Sequence, residues 1–316
     1  MQVLVTGADG FVGRSMLRRL LGEGHRVRGA VRPGAGDVVG LTAAERAAVE
    51  WVPLELEDTA SVRAAVASRP EAVIHLAAVA SGADARRDVG GAWAINAAGT
   101  ARLAEELARL REAGVADPIL LLASTGEVYG RGPARPRTEA DPVLPCSPYA
   151  ASKAGAEAAI LEAWRRTGLR VVIARAFPHT GPGQSTRFVA PAFAERLRLA
   201  KRAGAPVVKT GNLEPVRDFL DVRDVTAAYL ALVHRGTPGE AYNVARGEGI
   251  SLAELFERLA RLVGMRAIPE LDPELVRPAD IFHLVGDPTR LRAATGWNPT
   301  IDLDVTLKEL VDAQAD

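Results

Sequence analysis

Six short aliphatic runs, "QVLVTG", "HRVRGAV", "VEWVPLEL", "EAVIHLAA", "PILLLAS" and "LRVVIARA", follow one another along the first half of the chain. Ala/Leu/Arg-rich segments of helical spacing separate them. Strand and helix in regular alternation mean βαβ units, which predicts an α/β fold of the Rossmann type: a doubly wound parallel sheet with helices on both faces. The pattern holds over residues 1–175. After Ala176 it loosens into "FPHTGPGQ", an amphipathic stretch from Phe188 to Lys201, and "VVKTGNLEPVRDFLDVRDV". A strand-like "EAYNVARG", a helical "SLAELFERLARLVG" and a Pro-punctuated tail complete the chain. We therefore expect a smaller α+β domain from residues 176–216 and 247–316, interrupted by a segment of about 217–246 that returns to the main sheet.

With 316 residues and 48% hydrophobic content the chain can bury a sizeable core. Lys plus Arg and Asp plus Glu each total 39, so no global field exists to gather nucleic acid or an anionic membrane. A local basic pocket for a small anionic ligand is the remaining electrostatic option. The single cysteine, Cys146, has no intrachain partner, and no Cys/His spacing reads as a metal site. This suits a reducing, cytoplasmic setting. No apolar run approaches the roughly 18 residues of a membrane span, and "MQVLVTG" lacks the profile of a secretory leader.

"VTGADGFVG" sets Gly7, Gly10 and Gly13 directly after the first strand, with Phe11 and Val12 opening a helix. Glycines there allow a tight turn and let backbone N–H groups approach a pyrophosphate, which points to a dinucleotide. The plain alternative is an ordinary strand-to-helix turn. An NAD site would place an acid at the end of the second strand, where a carboxylate accepts the ribose hydroxyls. Here the chain reads Ala30, Val31, Arg32, Pro33. Arg32 suits a 2′-phosphate, so NADP(H) is favoured and NAD(H) possible, with Arg28 as a second candidate; alternatively Arg32 is a solvated loop residue.

"SPYAASKAGAE" puts Tyr149 and Lys153 four residues apart on one face of a helix. Lowering a tyrosine by about 3 pKa units takes about 4 kcal/mol, which a neighbouring ammonium and the charge of a nicotinamide can supply. The fifth strand ends in "STGEVYG", bringing Ser124, Thr125 and Glu127 to a C-terminal sheet edge. His75, inside "VIHLAA", reads as a satisfied core group, and His179 receives no role. Phe193 and Trp297 read as packing residues, with Phe188 the better candidate for contact with a base.

The glycine loop, "VIHLAA", "INAAGT", "STGEVYG" and Y-x-x-x-K, in that order, resemble the extended short-chain dehydrogenase/reductase family, also called the NAD-dependent epimerase/dehydratase family. The second half, with "FPHTGPGQSTRFV" and "VRPADIFHLVGDPTRLRAATGWNP", resembles the group containing GDP-4-keto-6-deoxy-D-mannose reductases and GDP-mannose 4,6-dehydratases. The resemblance implies that Thr125 hydrogen-bonds the reacting sugar oxygen, Tyr149 exchanges its proton and Lys153 holds the nicotinamide ribose. Leu56, Ala77 and Ala78 fall at cofactor positions, and Asn96, grouped with them, matches the family's structural asparagine. Ser81, Glu127 and Phe188 fall at the sugar nucleotide, with Arg217 and Arg277 clamping its diphosphate. Homodimerisation is implied through the helices after Asn96 and around Tyr149.

A reductase of a nucleotide-bound 4-keto-6-deoxyhexose is the leading expectation. A 4,6-dehydratase or 4-epimerase that recycles its cofactor is the second, because Glu127 suits proton abstraction. A non-catalytic dinucleotide sensor is the third, opposed by the intact Thr125, Tyr149 and Lys153. Gly126 stands where glucose-type dehydratases carry an aspartate, and "VRPGAG" offers one arginine where GDP-mannose dehydratases carry a pair. Pro178 replaces the family's asparagine and Ala85 a hydroxyl, both expected near the sugar pocket.

Overall fold

The computed structural model describes residues 1–36, 38–276 and 281–313. Its main sheet is built from β1 (Gln2–Thr6), β2 (Arg26–Val31), β3 (Glu50–Pro53), β4 (Ala72–His75), β5 (Ile119–Thr125), β6 (Arg170–Ala176) and a seventh strand, Ala241–Val244. The spatial order is Ala241–Val244, β6, β5, β4, β1, β2, β3, with every neighbour parallel. The order reverses between β1 and β4, so their C-terminal ends diverge into the crevice where open α/β sheets bind ligands.

Both sheet faces are covered, which is why the strands read as continuous apolar runs. On one face Val3, Val5 and Leu121 pack with Met16 and Leu20 of α1 (Phe11–Gly22) and with Val225 and Leu232 of the helix Val222–Arg235. On the other, Leu4, Leu120 and Leu122 meet Leu103 and Leu107 of the helix Thr100–Glu112 and Ile160 of the helix Pro148–Thr167. A separate core joins the helices Val189–Arg202, Leu252–Val263 and Leu303–Ala313, with Phe193 edge-on to Phe256 at 5.4 Å between ring centroids. Val222–Arg235 and Ala241–Val244 return to the main sheet, whereas Val216–Arg217 pairs with Ile250–Ser251 and His283–Leu284 outside it.

Local signals set the elements that matter most. Pro148 opens its helix behind Ser147, whose hydroxyl accepts from the Ala150 N–H at 3.1 Å, and Gly168 ends it in the left-handed region at φ 73°. "INAAGT" is less regular than its composition implies: Ala94–Gly99 forms a π-helical turn. Asn96 projects from it with Oδ1 accepting from Val79 N at 2.8 Å, while Nδ2 donates to the Val79 carbonyl at 3.2 Å and Ser152 Oγ at 2.9 Å. His75 is buried between the hydroxyls of Thr6 (2.7 Å) and Thr100 (3.0 Å). Burial pushes its pKa down to about 3, so it is a neutral core group.

Helix α1 leaves no room at its start. A Cβ on Gly13 would lie 2.2 Å from the Gly7 carbonyl oxygen, and one on Gly7, itself at φ +65°, 2.8 Å from Ala77 N. Gly13→Ala is expected to lower stability by about 1–3 kcal/mol through overpacking. Thermal unfolding checks this, and an unchanged Tm would show that the loop yields.

Candidate active site

A cleft of about 1320 Å³ opens at the C-terminal ends of the central strands and extends over the second core. Its inner wall carries Gly7, Gly10 and Gly13, with Phe11 and Val12 of the first turn of α1. Gly10 caps that helix without a side-chain hydrogen bond, and the first turn holds no acid. The leading N–H groups therefore remain for an anion, and the residues present fit a dinucleotide pyrophosphate.

Leu56, Ala77 and Ala78 continue this wall, and Arg32 stands exposed just beyond β2. Arg28 is corrected: it donates to the Ala65 carbonyl at 3.3 Å and to Glu50 at 2.7 Å, away from the cleft. Asn96 is corrected too. It does not line the cleft, because its amide is spent joining the Val79 segment to Ser152 on the tyrosine helix. Its part is to brace the site's scaffold.

Thr125, Glu127, Tyr149 and Lys153 meet on the cleft floor. Thr125 ends β5 and accepts from Glu127 N at 3.2 Å, capping the short turn Gly126–Tyr129. Its side chain faces the same part of the cleft as Tyr149. Burial, then the charge of Glu127, pushes the Tyr149 phenol well above its ordinary value, with the Thr125 hydrogen bond opposing. This reverses the sequence-based expectation of a lowered phenol: in the protein alone desolvation dominates, and the phenol holds its proton at neutral pH. Burial lowers Lys153 to about 8, with the charge of Glu157 opposing the shift.

The outer cleft holds Ser81, Phe188 and Arg217, while Arg277 lies outside the described residues. Ser81 caps the helix Gly82–Arg87 by accepting from Ala83 N at 3.2 Å and Asp84 N at 3.4 Å, which leaves its proton to donate. Ala85 is a further correction: it is fully buried and absent from the cleft wall. Pro178 does line the cleft, and its carbonyl accepts from Leu220 N at 2.9 Å. His179 sits beside it, stacked on Phe11 at 6.4 Å, with Nδ1 at 3.0 Å from the Phe177 carbonyl. Phe193 lines the cleft while packing on Phe256, and Trp297 is buried with Nε1 donating to the Asp224 carbonyl at 3.1 Å.

Residues without a motif also reach the cleft. Tyr229 enters from beneath the sheet, and Arg187 pairs with Asp84 at 2.8 Å. The Arg187 signal was present in "GQSTRFV", but its partner lies far away in the sequence. Among the described residues no cluster of His, Cys, Asp and Glu could hold a metal ion, and no helix is long and apolar enough to cross a membrane.

A Rossmann sheet whose crevice brings a glycine-rich helix start to a Thr, Tyr and Lys constellation defines the NAD(P)-dependent epimerase/dehydratase class of sugar-nucleotide enzymes. The chain belongs to the family described as GDP-mannose 4,6 dehydratase, whose model matches residues 4–310. It is 36% identical over 245 residues to the GDP-6-deoxy-D-mannose reductase of Pseudomonas aeruginosa, covering 77% of this chain and 79% of that protein. The structure of RMD from Pseudomonas aeruginosa complexed with NADPH superposes with a TM-score of 0.82 at 32% identity, covering 99% and 98% of the two chains. The Thermus thermophilus UDP-glucose 4-epimerase in complex with NAD gives a TM-score of 0.85 at 31% identity, again covering 99% and 98%. Reductases, dehydratases and epimerases thus share this fold, and the cofactor of the class is a nicotinamide dinucleotide.

The Lys153 ammonium is present below its pKa of about 8 and is lost as pH rises through it. A pH profile of kcat/KM, the free-enzyme parameter, should show a basic limb near pH 8, and Lys153→Met should abolish that limb. A limb unchanged in the variant would assign it to another group.

Proposed function

We propose that the protein is an NADP(H)-preferring reductase of a nucleotide-bound 4-keto-6-deoxyhexose, with GDP-4-keto-6-deoxy-D-mannose as its substrate. The observation that carries this reading is Tyr149, half-buried on the cleft floor with Thr125 and Lys153. A ketone reduction needs a proton donor at the C4 oxygen, the role Tyr149 takes in this reading. The 36% identity to a GDP-6-deoxy-D-mannose reductase supports the same choice.

The bound dinucleotide supplies the hydride. Tyr149 gives its proton to the C4 oxygen, Thr125 hydrogen-bonds that oxygen as charge develops, and Lys153 holds the ribose and restrains the phenol. The α1 N-terminus binds the pyrophosphate, and Arg32 pairs with a 2′-phosphate. In our reading residues 176–216 and 247–316 form the sugar-nucleotide domain, Ser81 and Phe188 contact the substrate, and Arg217 binds its diphosphate. We also infer a homodimer through the helices Thr100–Glu112 and Pro148–Thr167.

One observation favours a dehydratase as the second reading: Glu127 lines the cleft close enough for its charge to act on Tyr149. Glu127→Gln separates the two, since a reductase retains turnover while a dehydratase loses its base. The complete reaction constellation opposes a sensor.

Purified protein mixed with GDP-4-keto-6-deoxy-D-mannose and NADPH should consume cofactor stoichiometrically and yield a GDP-6-deoxyhexose identifiable by NMR. Tyr149→Phe should abolish turnover and spare cofactor binding. Conversion of GDP-mannose without net cofactor loss would instead establish the dehydratase.

Arg32→Ala should weaken NADPH binding by roughly 10–100-fold, the worth of a charge-assisted hydrogen bond, and leave NADH affinity unchanged. Fluorescence titration checks this. Equal effects on both cofactors would remove Arg32 from the 2′-phosphate site.

A further inference from the structure

One turn beyond Lys153, on the same face of the helix Pro148–Thr167, lies a buried carboxylate that the reaction described above does not use: Glu157. An ion this deep requires partners. Arg175 of β6 supplies two parallel bonds, Nε to Oε1 at 3.1 Å and Nη2 to Oε2 at 2.8 Å, with both side chains almost wholly excluded from solvent. Ser124 Oγ, next to Thr125, donates to the same Oε1.

The guanidinium is fixed in turn. Its Nη1 donates to the Tyr129 hydroxyl at 3.0 Å while its carbon lies 4.9 Å from the centre of that ring. Tyr129 then donates to Asn243 Oδ1 at 2.6 Å in the strand Ala241–Val244. One polar chain therefore ties together the end of β5, the tyrosine helix, the end of β6 and the edge strand. Ser124 and Arg175 are register partners across β5 and β6, as are Thr125 and Ala176.

Apolar side chains of similar volume would fill such a site at no loss of stability, so cohesion alone is a poor account of the network. We infer that Glu157 is a positioning residue of the reaction centre: through Ser124 it sets Thr125 against Tyr149 and Lys153. Its charge also bears on Lys153, one turn away on the same helix face. His75, from β4, is neutral; Glu127, from the turn after β5, acts on Tyr149; and Arg175, from β6, is paired with Glu157 itself. Among the described residues, Glu157 is the charge that opposes the effect of burial on Lys153.

The inference rests on the catalytic reading of Tyr149 and Lys153, so its test includes a readout that needs no substrate. The pKa of Lys153 in the full-length protein can be followed by NMR of ¹³C-labelled lysine, with Lys153→Met assigning the signal. Glu157→Gln keeps the hydrogen-bonding shape, removes the negative charge and leaves the Arg175 charge uncompensated. Lys153 should then titrate at lower pH than in the unaltered protein. The basic limb of kcat/KM should move the same way, and kcat should fall by about tenfold or more, with KM for the nucleotide sugar unchanged.

A folded Glu157→Gln protein with unshifted Lys153 titration and unchanged kcat overturns the inference. Should Glu157→Gln fail to fold, Ser124→Ala decides, because it leaves the ion pair intact. A lower kcat at constant KM upholds the positioning role, and an unchanged kcat overturns it. Absence of turnover in the unaltered protein would refute the reductase reading, while the Lys153 titration would still report on Glu157.

Discussion

Everything functional here depends on a sheet whose strands all run the same way and whose two faces both need cover. A parallel strand returns only through a crossover, and crossovers on both faces require the strand order to reverse somewhere. Here it reverses between β1 and β4. The loops leaving those strands part at that point, which brings Gly7 against Ala77 with no space for a side chain. The same direction of travel carries Thr125 at the end of β5 and Ala176 at the end of β6 to one rim, as register partners. Cofactor wall and reaction floor are thus consequences of one topological choice.

The site is electrostatically simple at its surface and demanding underneath. Tyr149 and Lys153 are both desolvated, and burial moves them in opposite directions because it disfavours whichever form is charged. The phenol is kept neutral and the ammonium is made easier to lose, so their pKa values move apart. Beneath them a buried carboxylate and guanidinium, each with further hydrogen bonds, tie the strand and helix that carry Thr125, Tyr149 and Lys153 to β6. The second core, built around Phe193 and Phe256, packs separately and contributes Phe193 to the cleft wall.

Much of this was legible along the chain. The six aliphatic runs are strands, the glycine triplet opens α1, and the Tyr and Lys spacing falls on one helix face. These signals are local: each depends on residues within a few positions of one another and on the helical or strand period. What was misread depends on distance. Arg28, the second candidate for a 2′-phosphate, donates instead to Glu50 and the Ala65 carbonyl, and Asn96, grouped with the cofactor residues, braces Val79 and Ser152 from a π-helical turn. Ala85 sat in the right segment but on its buried side.

By itself, then, the sequence determined the element order, the parallel sheet and the glycine-rich helix start, because periodicity and spacing encode those directly. Only the tertiary structure decided which polar groups remain available and in what charge state. Glu157, in an Ala-rich helix, reads as one more solvated acid; Arg175, in an apolar strand, reads as an anomaly. Their pairing at 2.8 Å beside Ser124 exists because β5, β6 and the helix Pro148–Thr167 are packed together. Desolvation and hydrogen-bond partnership are properties of that packing, and no single stretch of chain contains them.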